Sequence, residues 1–288
     1  TDGSATITVN APTVSVGSAL SAICIGGTSS ALGGSVGGTA TGGTWSDGGI
    51  GGTFNPNDTT LNATWTPPAN YSGSATLTLT TSGGSCGTTS AAKTQVVNAQ
   101  PTAIAGGAQT ICFGSTATVS GASSSNGTIS WTENGAGSIT SGAGTLTPVY
   151  TPAAGDIGNT VTLTMTVSNS PCTSATATYS VTVNPVATVS AGGDQTVCAT
   201  NPNVTLAGSI GGSATSGTWS GGTGTFSPNN NTLNATYTPS VAELAAGGNV
   251  ILTLTTNDPA GPCNAVSDTM TITIKLAPTA SAGGTQTI

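Results

Sequence analysis

Residues 43–67 read GTWSDGGIGGTFNPNDTTLNATWTP, and residues 217–239 read GTWSGGTGTFSPNNNTLNATYTP. Each copy has a Trp near its start, Gly-rich turn sequences in its middle and an aromatic residue before Thr-Pro at its end. Such close internal similarity indicates tandem structural units, and the period has to be established before any fold is assigned.

Landmark residues recur with a period near 88, since 112 − 24 = 88 and 198 − 112 = 86 for the first cysteine of each unit. The first cysteines are Cys24, Cys112 and Cys198. The second cysteines are Cys86, Cys172 and Cys263. The intervening Trp residues are Trp45, Trp131 and Trp219, and the aromatic residues before Thr-Pro are Trp65, Tyr150 and Tyr237. The 288 residues thus contain three units.

The two ends of the chain match parts of the same unit. ATITVN at 5–10 resembles VTVN at 181–184, and APTASAGGTQTI at 277–288 resembles ATVSAGGDQTV at 187–197. We predict three repeats with almost no linker between them, flanked by the last strand of a preceding repeat and the first strand of a following one. The boundaries are 1–10 for the preceding strand, 11–98, 99–184 and 185–275 for the repeats, and 276–288 for the following strand.

Alternation of apolar and polar residues marks the strands within a repeat. In the third repeat it predicts seven strands and one helical turn at 239–248. The strands are A (187–197), B (203–209), C (217–220), C′ (223–227), E (232–238), F (249–256) and G (268–275). Seven strands in about 90 residues predict an all-β, immunoglobulin-like sandwich, and we expect the sandwiches to form an elongated head-to-tail array.

The six recurring aromatic residues are predicted to be core residues, because large rings bury the most apolar surface. They are Trp45, Trp131, Trp219, Trp65, Tyr150 and Tyr237. Stacking against a ligand is the alternative role for them. Superposition of the repeats should bring the first three into the same place in each sandwich.

The amino-acid composition excludes most kinds of catalysis and of metal, nucleic-acid and membrane binding. The chain has no His, only 2 Lys and Arg combined, and a formal net charge of −7. Imidazole catalysis and His metal ligands are therefore excluded, and the chain lacks the cations that nucleic acid or anionic membrane requires. No D-x-D-x-D-G loop or paired glutamates occur, so we expect no catalytic residue, metal or cofactor.

The chain has no apolar stretch long enough to insert into a membrane, and its first residues do not resemble a signal peptide. We expect it to be part of a longer protein whose signal and anchor lie elsewhere. Six Cys in a chain with almost no charge indicate disulfides of an exported protein.

In the third repeat, AGGDQTVC (191–198), NVTLAGS (203–209), VAELAAGG (241–248), LTLTTNDPAGPC (252–263) and SDTMTITI (267–274) carry a family resemblance. The sequence resembles the PKD-like or Ig-like tandem repeats of giant Bacteroidota surface adhesins, which are associated with gliding motility and secreted by the type IX system. The resemblance implies a bacterial cell-surface location. It also implies that such repeats serve mostly as stalks.

Pairing of the cysteines remains open between three arrangements. The spacing within a repeat resembles the inter-sheet bridge of antibody domains, which favours pairs within repeats. The strand positions instead put the two cysteines of a repeat at opposite ends, about 20–30 Å apart, whereas a disulfide needs Cα atoms within about 7 Å. Pairs between neighbouring repeats, Cys24–Cys172 and Cys112–Cys263, are therefore favoured, with Cys86 and Cys198 pairing outside the sequence. Free thiols are the third arrangement.

Two short motifs, Asp58-Thr59-Thr60 and Asp268-Thr269-Met270, are similar to the Bacteroidota O-glycosylation signal. We expect Thr59 and Thr269 to be exposed and to carry O-glycans in the native organism. The Thr rows on strands F and G have two explanations. Thr has high β propensity and solubilises a sheet without charge, but regular Thr rows also bind ice or sugar.

These observations predict the shaft of an extracellular filament or giant adhesin, which supplies length, stiffness and protease resistance. Its partners would be neighbouring repeats and other copies in a fibre. The alternative is a module that binds glycan or a solid surface through loops or Thr faces.

Overall fold

The computed structural model describes residues 10–258, 261–280, 283 and 284. It is 46% strand and 3% helix, so the chain is all-β, as predicted. Most of the two predicted terminal strands lies outside the described residues, and the described residues 276–280 form no strand.

The strands fall into three consecutive groups of similar order. The first group is β1 (Thr13–Ser15), β2 (Ile23–Cys24), β3 (Ser35–Gly37), β4 (Gly42–Ser46), β5 (Thr53–Asn55), β6 (Thr64–Thr66), β7 (Gly73–Ser82) and β8 (Ser90–Asn98). The second is β9 (Thr102–Ile104), β10 (Ala108–Cys112), β11 (Ala117–Thr118), β12 (Ser123–Ser125), β13 (Thr128–Glu133), β14 (Ser138–Ser141), β15 (Val149–Thr151), β16 (Thr160–Ser168) and β17 (Ala175–Asn184). The third is β18 (Thr188–Ser190), β19 (Gln195–Cys198), β20 (Val204–Thr205), β21 (Ser209–Gly211), β22 (Gly217–Gly221), β23 (Thr225–Ser227), β24 (Thr236–Thr238), β25 (Gly248–Thr256) and β26 (Ser267–Lys275).

Each group contains a four-stranded sheet of the same topology. The orders are β2-β8-β7-β4, β10-β17-β16-β13 and β19-β26-β25-β22. The first pair in each order is parallel and the other pairs are antiparallel. The short parallel strand therefore ends beside the end of the last strand of its repeat. The first cysteine of each repeat therefore lies at the end of the sandwich where the chain leaves that repeat.

Shorter ladders form the opposing layer of each sandwich. They are β1-β3 and β5-β6 in the first repeat, β9-β12 and β11-β15-β14 in the second, and β18-β21 and β20-β24-β23 in the third. Together with the four-stranded sheets they make three immunoglobulin-like sandwiches in series, as the repeats predict.

Strand A was predicted as one segment at 187–197, but it is two strands in different sheets. β18 pairs with β21, whereas β19 pairs with β26. Gly192 separates them with φ +84°, a conformation that L side chains rarely adopt. Gly17 and Gly106 have the same role in the other repeats, with φ +68° and +92°.

The strand predicted as C′ at 223–227 also lies elsewhere. β23 pairs with β24, so it belongs to the opposing layer, not to the edge beside β22. Gly221 and Gly222 follow Trp219 with φ +91° and +63°, and this positive-φ pair turns the chain across the sandwich.

The helical turn predicted at 239–248 is helix α1, Val241–Ala246. Ser240 caps its first turn, accepting a hydrogen bond from the Glu243 N–H, and Gly247 ends it with φ +63°. In the second repeat the same crossover holds a 3-10 turn, Ala154–Asp156.

Each sandwich has its own core, built from the alternating apolar residues of its long strands. In the second repeat, Val161, Leu163, Met165 and Val167 of β16 are buried while the Thr residues between them point outward. The accessible surface of the chain is 15083 Å², against about 11,000 Å² for a compact monomer of 27.3 kDa. A larger surface is expected when three small cores, one in each sandwich, take the place of one large core.

Candidate functional site

The joints between repeats bring the cysteines together. β2 and β10 each end at a cysteine, and each of these cysteines is the ladder partner of the residue that ends the last strand of its repeat. The pairs are Cys24 with Asn98 and Cys112 with Asn184. Because the chain enters the next repeat directly after that residue, each cysteine lies at the joint.

The second cysteine of each repeat lies in the loop between its two longest strands. This loop is at the opposite end of the sandwich, and in the second and third repeats it faces the preceding repeat. The structure has the disulfides Cys24–Cys172 and Cys112–Cys263, with Cα–Cα distances of 5.0 and 5.3 Å. These are the two inter-repeat pairs that the strand positions favour. Cys112 and Cys172, in the same repeat, are thus each bonded to a different repeat.

Polar side chains add to the first joint. Asn98 Nδ2 donates to the Ser170 carbonyl at 2.7 Å. Asn169 Nδ2 donates to the carbonyl of Ala99, the first linker residue, at 3.0 Å. Only residues 99–101 separate β8 from β9, so the joint has a short linker, a disulfide and two hydrogen bonds from asparagine amides.

The second joint has the same linker length and also has a disulfide. Residues 185–187 separate β17 from β18, and Asn184 reaches the loop of the next repeat, where its Nδ2 lies 3.3 Å from the place of a Cβ on Gly261. A cleft of about 380 Å³ beside the disulfide is lined by Phe113, Val186 and Val266 among others.

Cys86 and Cys198 are exposed, free thiols. Cys86 lies in the loop between β7 and β8, and Cys198 ends β19. Their predicted pairing outside the sequence stays a prediction.

In each repeat a carboxylate that no sequence pattern had indicated holds an aromatic residue, and in the first two repeats this carboxylate is buried. In the second repeat, Asp156 is 2% exposed. Its Oδ2 accepts from the Tyr150 hydroxyl at 2.7 Å and from the Ala153 and Gly137 N–H groups at 2.8 and 3.0 Å. Its Oδ1 accepts from the Ala136 N–H at 2.7 Å. One carboxylate thus joins the crossover, an aromatic strand and a neighbouring turn.

The third repeat uses Glu243 in the same way. The Tyr237 hydroxyl donates to this carboxylate at 3.0 Å. The Thr223 and Ser240 N–H groups donate to it at 2.7 Å each. The spacing Tyr-Thr-Pro-x-x-x-acid is common to both repeats and is the signal that could have revealed these two networks.

In the first repeat a carboxylate also accepts a hydrogen bond from the aromatic residue before Thr-Pro, but it comes from a different part of the sequence. The residue six positions after Trp65 is Tyr71, which packs edge-on against Trp65 with a centroid distance of 6.3 Å. The carboxylate comes from Asp47, whose Oδ2 accepts from Trp65 Nε1 at 3.3 Å and from the Gly52 N–H at 2.7 Å. Asp47 does not follow the Tyr-Thr-Pro-x-x-x-acid spacing of the other two repeats, so that spacing could not have indicated its role.

In the second and third repeats, hydrogen bonding favours the charged form of the carboxylate. Burial raises the pKa of Asp156, but the bonds it accepts outweigh burial and leave the pKa below its usual value. The pKa of Glu243 is lowered for the same reason. Burial, helped by the bond to Glu243, raises the pKa of Tyr237 to about 12. The arrangement is an anion accepting from neutral donors, which suits stability and not proton transfer.

All six predicted core aromatic residues are buried. The indole N–H groups of Trp45, Trp131 and Trp219 donate to the carbonyls of Leu61, Thr145 and Leu233 at 3.0, 2.9 and 3.1 Å. None of these three rings is placed for ligand stacking.

Thr59 and Thr269 are exposed. The Thr59 hydroxyl donates to Asn57 Oδ1 at 2.9 Å. Thr269 precedes the buried Met270, and the Asp268 carboxylate accepts from the Ala191 N–H at 2.8 Å.

The outer face of the four-stranded sheet carries paired hydroxyls. In the second repeat, Thr160 lies opposite Thr182 and Thr164 opposite Thr178, and the hydroxyls of the first pair are 3.0 Å apart. This face is free of charged side chains along β16 and β17.

Within the described part of the chain, no three metal-ligating side chains come together. No helix in that same part combines the length and the apolar character of a membrane span.

Comparison with known proteins gives the fold. No protein-family model matches the chain, and no curated protein matches it. A three-Ig-domain titin fragment carrying Glu-to-Ala substitutions superposes with a TM-score of 0.58 at 16% identity, covering 93% of this chain and 100% of the fragment. An I-band fragment of titin gives 0.57 at 16% identity, covering 92% and 98%. The chain is thus similar to three immunoglobulin domains in series.

Proposed function

We propose that this chain forms part of the shaft of an extracellular filament or giant cell-surface adhesin. The observation that carries the proposal is the pair of disulfides, each of which ties the strand end of one repeat to the hairpin loop of the next. A joint held only by its linker bends about one point. The disulfide adds a second covalent tie beside that linker, where Cys172 Sγ lies 3.5 and 3.6 Å from the carbonyl oxygens of Asn98 and Ala99. Two adjacent covalent connections restrict the bending and twisting that one linker permits, and a shaft needs this property.

The repeat units of this shaft are residues 11–98, 99–184 and 185–275. Linkers of three residues join them, since β8 ends at Asn98 and β9 begins at Thr102, and β17 ends at Asn184 and β18 begins at Thr188. The terminal segments 1–10 and 276–288 belong to further repeats in the same array.

Protease resistance follows from composition and burial. The only cationic side chains are Lys93 and Lys275. Lys93 lies within β8, and its Nζ donates to the Leu32 carbonyl at 2.7 Å. A trypsin-like protease therefore has at most one accessible site in this chain, after Lys275 at the end of β26.

Two disulfides support an extracellular location, because cytosolic thiols are kept reduced. The sequence resemblance to Bacteroidota adhesin repeats extends this to a bacterial cell surface reached by type IX secretion. In that setting Thr59 and Thr269, both exposed, carry O-glycans.

Binding of glycan or a solid surface is the second candidate, and the paired hydroxyls on the outer face of β16 and β17 favour it. Thr side chains account for this face by their β propensity alone, however. The inherent twist of a sheet also prevents an extended lattice match.

Electron microscopy of single particles tests the shaft. The chain should appear as a rod of three beads with a narrow distribution of inter-repeat angles. The paired variant Cys24→Ser with Cys172→Ser should broaden the angle at the first joint only, which leaves the second joint as an internal control. Equal angle distributions with and without the disulfide would remove the basis of the proposal, and low-micromolar binding of the whole chain on a glycan array would favour the second candidate.

A further inference from the structure

In each repeat a strand near the start and the last strand run side by side in the same direction. The parallel pairs are β2 with β8, β10 with β17 and β19 with β26. In repeats 1 and 2 one strand of the pair continues into the linker, and the other ends at a cysteine that is bonded to the next repeat. Both strands of these two pairs are therefore covalently connected to the following repeat.

In repeats 2 and 3 the linker and the disulfide also arrive from the preceding repeat at the same place. In repeat 2 the linker residue Ala99 leads toward β9 and β10, and Cys172 lies shortly before β17. The Cys172 Sγ atom lies 3.6 Å from the Ala99 carbonyl oxygen. In repeat 3, Cys263 Sγ lies 3.5 Å from the carbonyl oxygen of the linker residue Pro185. Tension applied along the chain therefore reaches these repeats through two adjacent covalent connections.

A short covalent segment crosses each repeat between its two ends. In repeat 2 it runs from Cys172 to Asn184, 184 − 172 = 12 residues, most of which form β17. Residues 263–275 cross repeat 3 with 275 − 263 = 12 residues, and residues 11–24 lead through repeat 1 with 24 − 11 = 13. A strand of this length spans about 40 Å at ~3.3 Å per residue, and the fully stretched segment reaches only about 45 Å. Unfolding of the other residues of a repeat therefore adds only a few ångströms between its ends.

We propose that, under tension, one folded repeat is enough to hold the whole oxidised chain at its folded length. If repeats 1 and 3 unfold, the tension passes along residues 11–24 and through Cys24–Cys172 into folded repeat 2. It leaves repeat 2 through Cys112–Cys263 and continues along residues 263–275. Both unfolded repeats are crossed by their short segments, so the chain gains almost no length.

The other pairs of repeats behave in the same way. If repeats 1 and 2 unfold, the tension crosses Cys24–Cys172 and follows residues 172–184 to folded repeat 3. If repeats 2 and 3 unfold, it leaves folded repeat 1 through residues 99–112 and crosses Cys112–Cys263. Only when all three repeats unfold must the tension follow the backbone between Cys172 and Cys112.

This property goes beyond the stiffness proposed above, because it concerns tension and follows from covalent connectivity. An unfolded repeat beside a folded one keeps its ends near their native separation, and held ends lower the entropy cost of refolding. The inter-repeat angles that test the shaft do not enter the argument, so the two proposals fail separately.

Optical tweezers with peptide-tag handles at the two chain ends test the proposal. The Cys86→Ser, Cys198→Ser background leaves only the cysteines of the two disulfides. The oxidised chain should lengthen in a single step of about 170 Å, because 172 − 112 = 60 residues stretch to about 210 Å in place of a folded repeat of about 40 Å. After a reductant is added, the same molecules should lengthen in three steps of about 260 Å each, because a repeat of about 88 residues stretches to about 300 Å.

Two single-disulfide variants are matched controls. In Cys24→Ser with Cys172→Ser, the remaining bond still spans repeats 2 and 3, so one step of about 260 Å should appear, from repeat 1. In Cys112→Ser with Cys263→Ser, the remaining bond spans repeats 1 and 2, so the one step should come from repeat 3.

Only molecules that give three steps after reduction are counted, which excludes misfolded chains. Two or more steps from the oxidised chain would overturn the proposal, and so would three steps from either single-disulfide variant before reduction. Either result would mean that a repeat lengthens while another is still folded.

Discussion

Asp156 shows how much one buried carboxylate holds together, because four donors from three segments converge on it. In Asp156→Asn the amide group faces N–H donors, so at least one of them loses its acceptor. We expect repeat 2 to lose about 2–4 kcal/mol of its free energy of unfolding. Hydrogen–deuterium exchange of the β16 and β17 amides measures this locally. The exposed Asp58→Asn is the control and should change stability by less than about 0.5 kcal/mol.

The pH dependence follows from the same groups. Asp156 and Glu243 have lowered pKa values in the folded chain, so their stabilisation is present above the unfolded values, about 4, and is lost as pH falls through the folded ones. The pKa of Tyr237 is raised to about 12, so its contribution is present below about pH 10 and is lost as pH rises toward 12. Urea midpoints should therefore form a plateau between these limits. Midpoints measured on a Cys86→Ser, Cys198→Ser background avoid alkaline thiol exchange, and an unchanged midpoint from pH 10 to 12 would contradict the role of Tyr237.

At the scale of the elements, a single glycine moves the first strand of each repeat from one sheet to the other. A Cβ on Gly106 would lie 2.1 Å from the Ser120 carbonyl oxygen, and φ is +92°. We expect Gly106→Ala to cost roughly 3 kcal/mol and to loosen β10 from β17. Gly107 has open space around it and no positive φ, so Gly107→Ala is a matched control with a change near zero. Exchange of the β10 amides distinguishes the two variants, and equal protection would show that the kink is dispensable.

Local patterns in the sequence predict elements but not the sheet to which each belongs. Alternation placed β25 and β26 to within a residue and put Trp219 in the core, because burial on one face imposes period two. Alternation could not show that β18 and β19 belong to different sheets, or that β23 lies in the layer opposite β22. Both features depend on backbone turns at glycine and on strand partners far away in sequence. The carboxylate networks could not be predicted for a related reason, because the three repeats share no common spacing between acid and aromatic residue. Asp47 lies 18 residues before its aromatic partner, whereas Asp156 and Glu243 each lie 6 residues after theirs.

At the scale of the whole molecule, the two disulfides overlap along the chain. The first closes the segment from Cys24 to Cys172, and the second closes the segment from Cys112 to Cys263. Repeat 2 is therefore tied to both neighbours by bonds other than its own backbone. If it unfolds, the two bonds still connect repeat 1 to repeat 3 through part of repeat 2.

This connection limits how far the chain extends under load. In the reduced chain the path from Cys24 to Cys263 is the whole backbone, 263 − 24 = 239 residues, or about 840 Å at ~3.5 Å per residue. In the oxidised chain the shortest covalent path crosses both disulfides and follows only the backbone between Cys112 and Cys172, 172 − 112 = 60 residues, or about 210 Å. We expect the fully unfolded length between Cys24 and Cys263 to be about four times shorter in the oxidised chain.

Optical-tweezer stretching with handles at the two ends measures that length once the constant contribution of the residues before Cys24 and after Cys263 is subtracted. The Cys86→Ser, Cys198→Ser background prevents links between copies. Removing one bond, as in Cys112→Ser with Cys263→Ser, lengthens the path because the backbone after Cys172 must then carry the load to residue 263, 263 − 172 = 91 residues. The expected order of lengths is oxidised, single-bond variant, reduced. Equal lengths in all three would mean that the disulfides do not carry load. In such a shaft, an unfolded repeat extends only as far as the disulfides allow. The force follows the short covalent path through the two disulfides and not the full length of the unfolded backbone, so the neighbouring repeats stay close together.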